Sequence, residues 1–177
     1  MMYDLEYQGS DFDKEAASWT SSMTLITSGI KTSQCGSNMV LGGYNIQSGI
    51  SYNFGAWSKT YTNLPSHNSI KFQGRFYMID DWSTLTDHFH LYFDSKDQIM
   101  WYIWWNYGNY ASANQWGNAA YKDLEPLTAY FTIPHTADTL TFKMALHTSK
   151  TSDNAIDNSL AMVSAFVFNN CPFLSCV

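Results

Sequence analysis

The sequence predicts an all-β protein, an antiparallel β-sandwich of the jelly-roll kind, on three observations. The first is period-two alternation. Ile70, Phe72, Gly74, Phe76 and Met78 fall on one face of an extended chain, with Lys71, Gln73 and Arg75 on the other, as half-buried antiparallel strands require. Leu140, Phe142, Met144 and Leu146 repeat the pattern against Thr141 and Lys143. The second is turn chemistry at short intervals. Gly42-Gly43, Asn63-Leu64-Pro65, Asp94-Ser95, Asn106-Tyr107-Gly108, Glu125-Pro126 and Asp153-Asn154 each favour a chain reversal. The third is a missing pattern: no window of useful length keeps the i, i+3, i+4 apolar stripe of a helix, and only residues 13–19 could close a helical turn or two.

Along the chain, residues 2–8 come first and set Tyr3, Leu5 and Tyr7 against Asp4, Glu6 and Gln8. A polar spacer follows, so residues 1–18 read as an N-terminal extension and residues 19–177 as one sandwich domain opening at Trp19. Strands are expected at 23–27, 38–41, 49–54, 69–79, 88–93, 99–105, 129–133, 139–147 and 160–168. The last is apolar on both faces, as a strand in the middle of a two-sheet core would be.

Composition narrows the function classes. A chain of 177 residues holds one well-buried core. With 45% hydrophobic and 14% charged residues it is no disordered segment. Nine Lys and Arg stand against fifteen Asp and Glu without a basic cluster, which argues against nucleic acid and anionic lipid as partners. The longest apolar run, residues 99–105, is too short to cross a bilayer, so no membrane insertion is expected. Asp4 and Glu6 lie where a secretory signal would carry Lys or Arg, so the chain reads as mature, intracellular or a fragment. Cys35, Cys171 and Cys176 are an odd count; all three are disulfide candidates, and their spacing leaves the pairing open.

His88 and His90 project from one strand to the face opposite Phe89 and Leu91, a placement that suits two zinc ligands but lacks a third. Asp80 and Asp81 are the candidates for a calcium ion, with Asp87, Asp94 and Asp97 nearby in sequence. The competing reading has the carboxylates hydrogen-bonding turn amides around a packed Trp82. Of the three glutamates, Glu6 and Glu15 lie in the extension and Glu125 precedes a proline, so no carboxylate pair faces a cleft as glycoside hydrolysis requires. With no nucleophile elbow, H-E-x-x-H or phosphate loop, the expectation is a protein that is not an enzyme and needs no cofactor beyond calcium. Trp101, Tyr102, Trp104, Trp105 and Tyr107, with Trp116 beyond, form the densest aromatic cluster. An exposed plate of such rings near Asn106 and Asn109 would suit sugar rings or a protein partner.

Cys35-Gly36-Ser37, Leu41-Gly42-Gly43-Tyr44, Leu64-Pro65-Ser66-His67, Ile79-Asp80-Asp81-Trp82, Asp94 and Ser159 occur in this order. The series resembles a β-sandwich module of ciliate secreted and surface proteins, one that often precedes cysteine-rich, growth-factor-receptor-like repeats. The resemblance spans residues 19–176, and its most specific pieces are L-P-x-H and I-D-x-W. It implies an extracellular adhesive or structural role and no catalytic residue. Where the module would carry a second Cys-Gly, this chain reads Trp116-Gly117. Ser83 stands where an acidic residue would follow the tryptophan, which weakens the implied cation site at Asp80 and Asp81. The stretch from Cys171 to Cys176 resembles the entry to a cysteine-rich tail.

The expectation is an extracellular or cell-surface structural subunit that associates with copies of itself into a fibre or coat. Tyr3, Leu5 and Tyr7 would be donated to a neighbour's sheet edge, against the alternative that the strand folds back on its own sheet. The second expectation is a carbohydrate-binding module that holds glycans on the aromatic plate.

Overall fold

The computed structural model describes residues 2–4, 15–25, 27–36, 38–48, 55–80, 82, 88–102, 116–120, 123–124, 126–147 and 158–169. Two antiparallel sheets enclose the core. The first runs in the order β11 (Leu127–Pro134), β8 (Ser69–Asp80), β13 (Asn158–Asn169), β5 (Asn38–Gly42) and β4 (Thr32–Cys35), and β1 (Met2–Asp4) also pairs with β13. The second runs β10 (Lys96–Tyr102), β9 (His88–Phe93), β12 (Leu140–His147), β7 (Gly55–Tyr61) and β2 (Thr20–Ser21). A separate pair joins β3 (Thr24–Leu25) to β6 (Gln47–Ser48). Strands distant in sequence lie side by side in both sheets, as connections that cross between two layers produce. The β-sandwich predicted from alternation is the fold observed.

Aromatic side chains join the layers. Phe72 and Phe76 of the first sheet meet Phe93, Phe142 and Phe89 of the second, with Phe72–Phe142 at 5.0 Å and Phe76–Phe89 at 5.1 Å between centroids. Trp19 packs edge-on against Phe142 at 5.8 Å, the tilted geometry that aromatic quadrupoles favour. Gly74 has its place here for a steric reason. A β-carbon there would come within 2.8 Å of Phe72 and 2.9 Å of Phe76, so the two phenyl rings close over a position only glycine can fill.

Of the strands that were not legible, β2 and β6 are only two residues long, and two longer ones remain. The strand expected at 49–54 falls outside the described residues, and the chain pairs instead at Gly55–Tyr61. Trp57, Lys59 and Tyr61 stand opposite Met144, Phe142 and Leu140, so a lysine occupies a core-facing position and breaks the alternation that announces a strand. Lys59 is tolerated because Glu15, in the turn before Trp19, forms an ion pair with it and the Tyr61 ring lies 5.1 Å from its ammonium. Burial holds the Lys59 pKa below its ordinary value. The other is β4, whose residues Thr32, Ser33, Gln34 and Cys35 carry too little apolar signal to be read.

The N-terminal strand finds its partner at home. Met2, Tyr3 and Asp4 pair with Phe168, Val167 and Phe166 of the same chain. This is the fold-back alternative to the strand donation expected of Tyr3, and it is available because β13 extends beyond short β5 and offers its own edge at that point. Leu5 and Tyr7 lie outside the described residues.

Candidate functional site

The reverse face of the first sheet divides into a covered half and an open half. A small second apolar cluster fills the covered half: Cys35, Val40, Tyr77 and Ile79, with Tyr44 and Trp116 packed against it. Residues 116–120 and 123–124 lie over it, fastened by two buried carboxylates. Asp80 ends β8 with a φ of 69°, the left-handed region, and its Oδ1 accepts the Asn118 N–H at 2.8 Å. Asp123 Oδ1 accepts the Asp80 N–H at 3.1 Å and its Oδ2 the Trp116 N–H at 2.9 Å. Both residues are fully buried. Gly117, at φ 86°, passes so close that any side chain would collide with the Asp80 carboxylate. Trp82 is buried and donates its indole N–H to Ile79 O at 3.1 Å. Asp80 thus serves turn amides around a packed Trp82, the structural reading of I-D-x-W. Its expected calcium partner, Asp81, lies outside the described residues, and among those described no three His, Cys, Asp or Glu side chains converge as a metal would need.

Cys35 corrects the disulfide expectation. It is a free, buried thiol, pushed up to about 12 by burial and then by the Asp123 charge. Trp116, at the position where the resemblance placed a second cysteine, packs in the same cluster, edge-on to Tyr77 at 5.1 Å. Cys171 and Cys176 lie outside the described residues.

The open half carries Tyr130 on edge strand β11. Its register partner is Gln73, and the flanking pairs are Thr128 with Arg75 and Thr132 with Lys71. Register partners share a face, so a phenol, an amide, a guanidinium, an ammonium and two hydroxyls stand together. Tyr130 is 63% exposed, and Arg75, Thr128 and Thr132 are exposed as well. The Arg75 guanidinium lies 5.4 Å from the Tyr77 ring centre at the border between the halves.

On the second sheet, His88 and His90 do share the outward face of β9, and β12 brings the third histidine that the sequence lacked. His147 stands opposite His88 with its ring stacked on it at 4.4 Å. His88 and His90 are 4.9 Å apart between centroids, His90 lies 5.7 Å from Tyr92, and Lys143 lies 4.8 Å over the Tyr92 ring. His147 stacks on His88 while His90 meets His88 edge to face, and among the described residues no three such side chains are grouped as a metal site would need.

No family model matches the chain, and no curated relative matches it. Among solved structures it is similar to the K3 cleaved adhesin domain of Lys-gingipain from Porphyromonas gingivalis, with a TM-score of 0.50 and 10% identity over 85% of this chain and 91% of that one. It is also similar to a family 35 carbohydrate-binding module from an environmental isolate, with a TM-score of 0.43 and 13% identity over 97% and 99% of the two chains. A third is the CBM36-1 domain of a multidomain xylanase from the hindgut metagenome of Trinervitermes trinervoides, with a TM-score of 0.44 and 12% identity over 87% and 99%. At these identities the likeness is one of fold.

Of the expected aromatic plate, Trp101 stands in register with Phe89 and Tyr102 with His88, while Trp116 is half-buried in the second cluster. Trp104, Trp105 and Tyr107 lie outside the described residues. Among the described residues, the well-exposed aromatic is Tyr130. Its signal was available: residues 128–132 alternate, and Tyr130 falls on the polar face with two threonines. Asp123 and His147 had no such signal, since each is placed by a partner more than forty residues away, Asp80 for the first and His88 for the second.

Proposed function

We propose that this chain is a non-catalytic carbohydrate-binding module, working outside the cell or at its surface, that holds glycans on the open half of the first sheet. One observation carries the reading: Tyr130, 63% exposed, stands among the side chains of Gln73, Arg75, Lys71, Thr128 and Thr132. A sugar ring offers apolar C–H bonds on one face and hydroxyls around its edge. An exposed phenol gives the first a stacking surface, and amide, guanidinium and hydroxyl groups give the second their hydrogen bonds. The rigid pairing of β11 with β8 presets these groups, which limits the entropy lost on binding.

Affinity electrophoresis through gels containing soluble plant, algal and bacterial polysaccharides tests the reading. Wild-type chain should be retarded by at least one of them. Tyr130→Ala should weaken retention by about tenfold or more while leaving unfolding stability within about 0.5 kcal/mol, as an exposed position allows. A wild-type chain that ignores every glycan, or a Tyr130→Ala variant retained as well as wild type, would overturn it. Concentration-dependent assembly without glycan binding would favour the structural subunit instead.

A further inference from the structure

Three connections meet at one end of the sandwich: β7 to β8, the Asp94-Ser95 turn between β9 and β10, and β11 to β12. Backbone bonds tie them, with Leu64 N–H to Asp138 O at 2.8 Å, His135 N–H to Asn68 O at 3.2 Å and Asp94 N–H to Thr141 O at 2.9 Å. Side chains add a linear series of their own. His67 Nδ1 lies 2.6 Å from Pro65 O, His67 Nε2 lies 2.6 Å from His135 Nδ1, and His135 Nε2 lies 2.7 Å from Asp94 Oδ2. Asp94 Oδ1 accepts the Thr141 N–H at 2.8 Å. The imidazole planes differ by 11° with centroids 4.9 Å apart. With nitrogens only 2.6 Å apart, the rings therefore lie end to end in nearly one plane rather than face to face.

Counting protons along this series gives a definite answer. A carbonyl oxygen only accepts, so His67 Nδ1 carries a proton. The Asp94 carboxylate, 40% exposed, also only accepts, so His135 Nε2 carries one. The nitrogen pair between them needs a third, because two bare lone pairs at 2.6 Å repel. Two neutral imidazoles hold two protons on four nitrogens. We infer that His67 and His135 together bind one extra proton, and that this proton latches the three connections.

The extra positive charge is balanced by Asp94. Among the described residues the other charged groups on these connections are Lys96 and Asp138, both exposed. His67 and the His135 side chain are both buried, at 6% and 7% exposure, so the rings depend on one another for their partners. Loss of the proton to bulk solvent leaves the opposed lone pairs in place and breaks the middle link. The L-P-x-H stretch thereby gains a purpose: Leu64 anchors the connection in the core, and Pro65 supplies the oxygen that fixes the His67 tautomer.

Nitrogen-15 spectra of the folded, histidine-labelled wild-type chain near pH 7 read the count directly. Three protonated nitrogens among the four of His67 and His135 are expected, and two would overturn the inference. Melting temperature should also fall as pH rises from about 5.5 to about 8.5. In His135→Asn, which keeps every other histidine, that fall should be clearly smaller. A variant with the same pH profile as wild type would overturn the latch.

Discussion

Replacing Asp123 with alanine should loosen the segment that covers half of the first sheet. The aspartate offers one oxygen to the Asp80 N–H and the other to the Trp116 N–H. Alanine leaves both donors without their acceptor, and each stranded buried N–H costs about 1–3 kcal/mol. Release of a fully buried carboxylate offsets part of the loss, so a net destabilisation of about 3 kcal/mol is expected. Asp123→Asn keeps one oxygen and turns an amide group toward the other donor, so it should cost less than alanine but more than a surface change. Urea unfolding followed by tryptophan fluorescence measures both. An alanine variant within about 0.5 kcal/mol of wild type would refute the role given to this carboxylate.

Two further outcomes follow from burial. Phe142 touches Trp19, Phe72 and Phe93, so Phe142→Ala should cost about 3–5 kcal/mol, whereas Thr141→Ala on the outer face should cost far less; similar unfolding midpoints for the two would contradict the sandwich core. Cys35 holds its proton up to about 12, while an unfolded thiol releases it near 9.0. The unfolded chain therefore binds fewer protons between those values, and stability should fall as pH rises through that window. Cys35→Ala should flatten that fall in alkaline denaturation curves, and an unchanged slope would refute the assignment.

How much of this was legible depended on where each residue's partner lies. Residues 69–79 and 139–147 announced strands because their meaning is local: every second side chain is apolar and the intervening ones are polar. The Asp94-Ser95 turn was legible for the same reason, and both residues take positive φ, 50° and 67°, as a two-residue hairpin loop requires. Lys59 hid a strand because its counter-charge, Glu15, is forty-four residues away. In the aromatic stretch 101–107, period two assigns residues to alternate faces without saying which face meets the core. Tyr130 was overlooked because a single exposed tyrosine among threonines is outweighed by a run of tryptophans, although exposure rather than number makes an aromatic available to a ligand.

Position 116 has a consequence for the conditions under which the covered half holds together. A cysteine there, opposite Cys35, would fasten the segment only where disulfides survive. Trp116 fastens it instead by packing on Tyr77, with Asp123 and Asp80 holding the backbone. Neither packing nor amide hydrogen bonds respond to thiol reductants, so the attachment of this segment is indifferent to redox potential. A reducing milieu that would release a disulfide-bonded version of the same segment leaves this one closed.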